Sequence, residues 1–173
     1  DLGGQAERVM AYDFKAYAEA FDRVVYFSYA DSGASSLRGV ALPGAEWPLV
    51  DVATSWPIHR YAWQALMPLR WWREVVNCDV LRVLNFTGSL PGILAKRLYG
   101  CKLVVGFNYH YEALARIHGK PAHALWLRAL LKLVARYADG VIVPSAALER
   151  EILAAGYSGY RVTIPNGVDL ERF

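Results

Sequence analysis

Apolar segments alternate with helical segments along most of this chain. The apolar segments at residues 80–84, 103–107, 141–143 and 161–164 mostly lack polar alternation, which is typical of parallel strands covered on both faces. Helical patterns fill the sequence between them and supply the crossovers that parallel strands require. The alternation therefore predicts an α/β fold, with a doubly wound and mainly parallel sheet that carries helices on both faces.

The pattern is weaker in the first part of the chain. Apolar side chains at three- and four-residue spacing predict a helix soon after Gly3-Gly4. Pro68 should bend a later helix, because proline cannot donate to the helical ladder. The elements predicted in this part are a helix over 9–21, strands at 23–29 and 39–42, a loop through residue 57, and a helix from about residue 58 into the 70s.

A glycine-rich turn that begins a helix normally follows the first strand of a doubly wound sheet, and that strand is central. No strand precedes Gly3. We therefore expect the first strand to lie upstream of Asp1. The chain begins with Asp rather than Met and shows no signal peptide, so a trimmed N-terminus is expected.

Length and charge narrow the class of protein. A chain of 173 residues suits one α/β domain with a large core. The net charge of +3 only weakly favours anionic partners, and no nucleic-acid motif is present, so no nucleic-acid partner is expected. Although 55% of the residues are apolar, no run approaches the ~18 apolar residues that span a bilayer.

The two cysteines, Cys78 and Cys101, have neither metal-site spacing nor the pattern of a secreted disulfide framework. Each precedes a predicted parallel strand, and neighbouring strands lie close enough for a disulfide to span. Two interpretations stay open: a pair of reduced, partly buried thiols, or a bridge between the strands.

Ligands of open α/β sheets bind beyond the carboxyl ends of the strands. His110 follows one predicted strand and is the candidate catalytic residue, because a loop histidine can handle a proton or bond a hydroxyl group. Gly3-Gly4 at a helix N-terminus can present backbone N–H groups to an anion, or can simply form a tight turn. The candidate binding residues at these strand ends are Gly3, Gly4, Gln5, Asn85, Thr87, Gly88, Asn108 and Ser145.

Hydrolytic and metal chemistry have little support in the sequence. No Ser-His-Asp, Cys-His or H-E-x-x-H constellation is present, and no metal site is predicted. Glu149 and Glu151 lie in a predicted helix of Glu-Arg-Glu character, which indicates a solvated face rather than an acid–base pair.

The end of the chain carries the most specific motif. A short β run meets Pro165, and Asn166-Gly167 then favours a turn, because both residues tolerate positive φ. Ala138-Asp-Gly-Val-Ile-Val-Pro-Ser145 and a helix precede it. This order resembles that of the retaining glycosyltransferases of family four, in which I-P-N-G-V-D-x-x-x-F marks the crossing between two domains.

The resemblance implies the N-terminal half of a two-domain GT-B enzyme. Residues 1–165 would form the Rossmann-like acceptor-side domain, and residues 166–173 would begin the linker, with Asn166 and Gly167 as hinge. The enzyme would transfer a sugar from a nucleotide-sugar, a UDP- or GDP-sugar, with retention of configuration and without a bound cofactor or metal. The donor-binding domain would follow this chain, so the chain alone is expected to be inactive.

The resemblance is strongest over 138–173, moderate over 77–110 and weak over 31–72. It places Gly3-Gly4 along the cleft, near donor phosphate or acceptor hydroxyls. Two positions depart from the family pattern. Asn85 stands at a strand end where the family often has His, and Tyr111 follows His110 where the family usually has Asp or Gly.

Expected partners are an acceptor sugar, a lipid-linked sugar or another small acceptor, together with the C-terminal domain. Some family-four enzymes act on lipid-linked acceptors at the cytoplasmic leaflet, which implies a cytoplasmic protein with peripheral contact at the inner membrane face. Tryptophan and arginine side chains suited to an interfacial helix alternate in one segment, where the alternative is a buried helix with a charged edge. They are Trp63, Arg70, Trp71, Trp72 and Arg73.

Two other functions are compatible with the same sequence. A sugar-nucleotide epimerase of this fold would act without an acceptor. A non-catalytic Rossmann-like module would bind a partner or a membrane through the tryptophan- and arginine-rich segment.

Overall fold

The computed structural model describes residues 17, 20–28, 49–51 and 60–165. The chain forms two compact units, Asp1–Gln64 and Ala65–Phe173. The strands are β1 (Tyr26–Ser28), β2 (Leu49–Asp51), β3 (Val80–Val83), β4 (Lys102–Gly106), β5 (Gly140–Val143) and β6 (Tyr160–Thr163). The helices are α1 (Arg60–Arg70), α2 (Trp72–Val75), α3 (Ser89–Tyr99), α4 (Tyr111–Ile117), α5 (Pro121–Tyr137) and α6 (Ala146–Ala154), and a 3₁₀ turn covers Phe86–Gly88.

In the first unit β1 and β2 form a parallel pair in which Tyr26 lies opposite Leu49. The strand predicted at 23–29 is confirmed in shorter form. The loop predicted through residue 57 is wrong at β2, because a three-residue strand is too short to show periodicity and is defined by its partner. Of the predicted helix at 9–21, Tyr17 and Ala20 are helical, and the strand predicted at 39–42 lies outside the described residues.

The second unit contains a four-stranded parallel sheet in the order β3-β4-β5-β6. Val80 lies opposite Lys102, Val104 opposite Gly140, and Val141 opposite Arg161. Helices occupy each crossover: α3 after β3, α4 and α5 after β4, and α6 after β5. The predicted α/β, Rossmann-like arrangement of a parallel sheet flanked by helices is confirmed.

The core of this unit lies between the sheet and the helices. On α5, Leu127, Leu130 and Val134 are buried, as are Leu103 and Val105 of β4. Burying one such side chain stabilises the fold by about 1.5–3 kcal/mol. The basic residues of α5, at 128, 132 and 136, are exposed, so this helix covers the core and has one charged solvent edge.

Helix ends follow the predicted signals in part. α3 ends at Gly100, whose φ of 80° is left-handed and whose N–H donates to the Lys96 carbonyl at 2.9 Å. Pro68 lies inside α1, where the predicted bend stays a prediction, and the helix is interrupted at Trp71, with φ −112° and ψ 41°. Both cysteines are free thiols. Burial, together with the nearby Cys101, raises the pKa of the Cys78 thiol to about 11.

Asp139 links the start of β5 to β4 and α3. Its Oδ2 accepts hydrogen bonds from Lys96 Nζ at 2.5 Å and from the Leu103 N–H at 2.8 Å, and Lys102 Nζ lies 3.5 Å from Oδ1. Burial acts to raise the pKa of Asp139, but the two hydrogen bonds and the lysine charges outweigh it and lower the pKa from 3.8. In the sequence, Asp139 was noted only as one residue of the motif at 138–145. In the structure, Asp139 connects the sheet to helix α3.

Replacing Asp139 by alanine should lower the free energy of unfolding by about 1–3 kcal/mol at neutral pH, since the Leu103 N–H loses its acceptor. The folded-state pKa is lowered, so the carboxylate stabilises the fold above its unfolded-state pKa and loses this effect as pH falls through the folded-state pKa. Urea unfolding at several pH values should therefore show the gap between parent and variant narrowing below about pH 4. Asp79→Ala, at an exposed carboxylate, is the control; an equal loss there would contradict the assignment.

Candidate functional site

The loops that follow β3, β4 and β5 lie at one edge of the sheet, because neighbouring parallel strands end on the same side. We call these loops, at residues 84–89, 107–111 and 144–146, the carboxyl edge. They carry all of the predicted site residues that the structure describes. These are Asn85, Thr87, Gly88, Asn108, His110 and Ser145.

Asn85 is held from two sides. Its Oδ1 accepts hydrogen bonds from the Thr87 N–H at 3.3 Å and from Thr87 Oγ1 at 3.2 Å. The Tyr111 hydroxyl donates to the same oxygen at 2.9 Å. The amide oxygen is therefore fully engaged, and the exposed Asn85 side chain is left with its NH₂ group as a donor.

Tyr111 owes its position to an aromatic cluster. Its ring lies 5.0 Å from that of Phe86 and 5.9 Å from that of Phe107, measured between centroids, and both phenylalanines are buried. Burial, with the neighbouring Tyr109, raises the pKa of Tyr111 to about 12, so its hydroxyl stays a neutral donor. In the sequence, Tyr111 was notable only as a departure from the family pattern. Its role in orienting Asn85 was missed, because no local pattern joins residues 26 positions apart.

The other predicted binding residues make local structural contacts. Asn108 Nδ2 donates to the Leu84 carbonyl at 3.0 Å and so joins the loops after β3 and β4. Ser145 is the N-cap of α6, where its Oγ accepts from the Leu148 N–H at 3.4 Å. The Gly88 N–H donates to the Asn85 carbonyl at 2.8 Å and closes the 3₁₀ turn. Whether these residues also bind a substrate stays a prediction.

His110 follows β4 and is the N-cap residue of α4. Its Nδ1 contacts Glu151 Oε2 of α6. The His110 side chain is 53% exposed and that of Glu151 is 26% exposed. This pairing was missed in the sequence, where the two residues are separated by 41 positions.

The predicted face at Glu149 and Glu151 is partly exposed, and both carboxylates also form ion pairs there. Glu149 Oε1 accepts from Arg161 Nε at 2.6 Å, and Thr163 Oγ1 lies 3.3 Å from Oε2. The Glu149 side chain is 29% exposed. Both carboxylates therefore connect α6 to other segments. Their positions, two residues apart on a helix, are consistent with contacts to different neighbours.

Several predicted residues lie outside the described part of the chain. They are Gly3, Gly4, Gln5, Asn166 and Gly167. Nothing in the structure tests their predicted contacts, including the proximity of Gly3-Gly4 to His110.

The predicted interfacial segment covers α1 and α2, and Trp63 lies within α1. Trp72 and Leu69 are about half exposed, and the Arg73 guanidinium lies 5.6 Å from the centre of the Trp72 ring. Arg70 lies 5.4 Å from the centre of the Trp71 ring. Among the described residues, no helix has both the length and the apolar character needed to cross a bilayer.

The described residues also contain no group of three or more His, Cys, Asp or Glu side chains that could hold a metal ion. The side chains of the carboxyl edge offer hydrogen bonding by amide, hydroxyl and imidazole groups. A carboxylate supports the imidazole.

Comparison with known proteins agrees with this arrangement. The family model described as Glycosyltransferase Family 4 matches residues 3–172. No curated protein matches the chain. The family match covers both compact units and includes the parallel sheet with its carboxyl edge. The chain therefore belongs to glycosyltransferase family 4.

Proposed function

We propose that this chain forms the acceptor side of a glycosyltransferase that moves a sugar from a nucleotide-sugar, a UDP- or GDP-sugar, to an acceptor with retention of configuration. The acceptor is a sugar, a lipid-linked sugar or another small hydroxyl compound. Residues 1–165 act as the acceptor-side domain, residues 166–173 begin the linker with its hinge at Asn166 and Gly167, and a donor-binding domain follows. No bound cofactor or metal takes part.

The observation that carries this proposal is the pair of complementary groups beside Tyr111. Asn85 offers an N–H donor, because its amide oxygen is occupied by Thr87 and Tyr111. His110 offers a ring nitrogen, because only its Nδ1 is engaged by Glu151 among the described residues. Sugar hydroxyls both donate and accept hydrogen bonds, so a donor and an acceptor on one edge suit a sugar ring.

The chemical groups at the carboxyl edge also support the assignment of acceptor binding to this chain and of donor binding to the other domain. Its named binding residues carry amide, hydroxyl and imidazole groups, which are suited to hydroxyls. Arg161, the cation of the adjacent β6, is already paired with Glu149. Nucleotide phosphates would be recognised by cationic groups, which we assign to the donor-binding domain.

The test uses a protein that continues past Phe173 through a second domain, and this chain alone as the comparison. Each is incubated with UDP- and GDP-sugars and a panel of sugar and lipid-linked acceptors. We expect acceptor-dependent release of nucleotide from the longer protein, a product with retained anomeric configuration by NMR, and no turnover by this chain alone. Turnover by this chain alone would contradict the domain assignment. Conversion of the donor sugar without any acceptor would establish an epimerase instead.

A second property, peripheral membrane binding, is favoured by the surface of α1 and α2. Leu66, Leu69 and Trp72 recur at three-residue spacing and are all exposed. Arg70 and Arg73 flank them and lie against tryptophan rings. An exposed apolar stripe with basic neighbours suits the interface of a bilayer that contains anionic lipids. We therefore propose that this surface holds the enzyme at the membrane face where lipid-linked acceptors lie.

Flotation with vesicles that contain phosphatidylglycerol should recover the parent chain with the lipid, and Arg70→Glu/Arg73→Glu should reduce that fraction severalfold. Each basic residue near an anionic surface contributes about 1 kcal/mol, and the substitutions also add repulsion. Arg128→Glu/Lys132→Glu, on the exposed edge of α5, makes the same charge change elsewhere. Equal losses in the two double variants would indicate unspecific charge attraction, and full recovery of the first would contradict the assigned surface.

A further inference from the structure

Glu149 and Glu151 point to different neighbours because of helical geometry. Successive residues of an α-helix are rotated by about 100°, so two residues separated by one position lie about 200° apart around the axis. Leu148 and Ile152 are buried against the core. Glu149 therefore reaches β6 through Arg161, and Glu151 reaches the loop after β4 through His110. The strand order β4-β5-β6 places those two targets on opposite sides of β5, which α6 follows.

The contact between Glu151 and His110 defines which ring nitrogen carries the proton. A carboxylate can only accept a hydrogen bond, so His110 Nδ1 must be the N–H that donates to Glu151 Oε2. In the neutral imidazole this leaves Nε2 with a free lone pair. Among the residues that the structure describes, none is hydrogen-bonded to Nε2, and half of the side chain is open to solvent.

We propose that Glu151 is a positioning residue that holds His110 in the Nδ1–H tautomer, so that Nε2 accepts a hydrogen bond from a hydroxyl of the sugar substrate. This inference rests on the proposed function and names the substrate group that His110 recognises. Asn85 would donate to a sugar hydroxyl, and His110 would accept from one. Without Glu151 the ring would be free to rotate and to place its proton on Nε2, where it could no longer accept.

Glu149 provides a matched comparison, because it differs from Glu151 mainly in its partner. Both are in α6, their side chains are exposed to nearly the same extent, at 29% and 26%, and each is paired with one basic group. An ion pair that only fastened α6 to the rest of the fold would make the two glutamates equivalent. Surface pairs of this kind contribute little to stability, so alanine at either position should leave the chain folded.

The first readout is the imidazole ¹⁵N spectrum of this chain labelled at histidine, at a pH where the rings are neutral. We expect the His110 signals to report a protonated Nδ1 in the parent and in Glu149→Ala, and a shift of the population towards Nε2–H in Glu151→Ala. The His110→Ala spectrum assigns the resonances, and thermal unfolding confirms that each variant is folded. If Glu151→Ala does not fold, Glu151→Leu, which also removes the acceptor, is measured in its place. An Nε2–H tautomer in the parent, or an unchanged tautomer in the Glu151 variant, would overturn the inference without bearing on the transferase reaction.

The second readout is the transferase activity of the protein that carries both domains. Removing the partner that orients a metal-binding histidine commonly lowers activity by about 10-fold to 100-fold. We expect a similar factor for kcat/KM in Glu151→Ala, and a value near that of the parent in Glu149→Ala. Activity lost in His110→Ala but kept in Glu151→Ala would overturn the positioning role and leave the proposed function standing. Absence of transfer by the parent would overturn the proposed function, while the tautomer result would stand or fall by itself.

Discussion

Replacing His110 by alanine should lower kcat by about 100-fold or more in the protein that carries both domains, the scale expected when a group that handles a proton is removed. His110 lies in the loop after β4 at the carboxyl edge, is 53% exposed, and is oriented by Glu151. Alanine removes both ring nitrogens but little buried surface, so stability should change little. Steady-state kinetics with saturating donor and acceptor give kcat.

His118→Ala is the matched control, because this histidine is also exposed but follows α4 at its other end. Its kcat should equal that of the parent. A kcat for His110→Ala within a factor of two or three of the parent would contradict a proton-handling role. If KM for the acceptor rose instead, hydrogen bonding to a hydroxyl in the ground state would be its main contribution.

Gly106→Ala should be the most destabilising single-methyl change in the sheet. A Cβ at this position would lie 2.8 Å from the Leu84 carbonyl oxygen and 3.3 Å from that of Val83, and both are backbone atoms that cannot rotate away. Overpacking of this kind costs about 1–3 kcal/mol, and a domain of this size would lose roughly 2–12 °C in Tm. Thermal unfolding followed by circular dichroism measures the loss.

Gly106→Ala should also disturb the candidate site at the carboxyl edge. The Leu84 carbonyl accepts from Asn108 Nδ2 and directly precedes Asn85, so displacing it disturbs both predicted binding residues. Gly140→Ala is the control, because a Cβ there meets the Val104 side chain at an ordinary 3.4 Å. A comparable loss of Tm in both variants would show that the close approach at Leu84 is not the cause.

The fold of the second unit was readable from the sequence because each element there has a strong local signal. Apolar runs defined β4 and β5, β3 was recognised although it contains Arg82, and Gly100 ended α3 as expected. Local sequence patterns did not predict elements that depend on pairing with another segment. Strand β2, only three residues long, exists through its pairing with β1. The break between α1 and α2 at Trp71 could not be predicted, because no glycine or proline stands there.

The candidate site was readable only as a list of strand-end residues. Position after a strand identified Asn85, Asn108 and His110, since parallel strands bring their ends together. The residues that orient them, Tyr111 and Glu151, came from chain positions 26 and 41 residues away from their partners. No local spacing encodes such contacts, and only the strand order and the helical rotation of α6 determine them.

The order of the strands in the sheet of the second unit is the same as their order along the chain. β4 pairs with β3, β5 with β4 and β6 with β5, so every strand needs only a segment synthesised before it. Each pairing closes a crossover of one or two helices, which costs less loop-closure entropy than a pairing between the two ends of the unit would. During synthesis the sheet is therefore expected to grow one strand at a time as the chain leaves the ribosome. The pair between Glu149 and Arg161, which joins α6 to β6, would be among the last contacts of the unit to form.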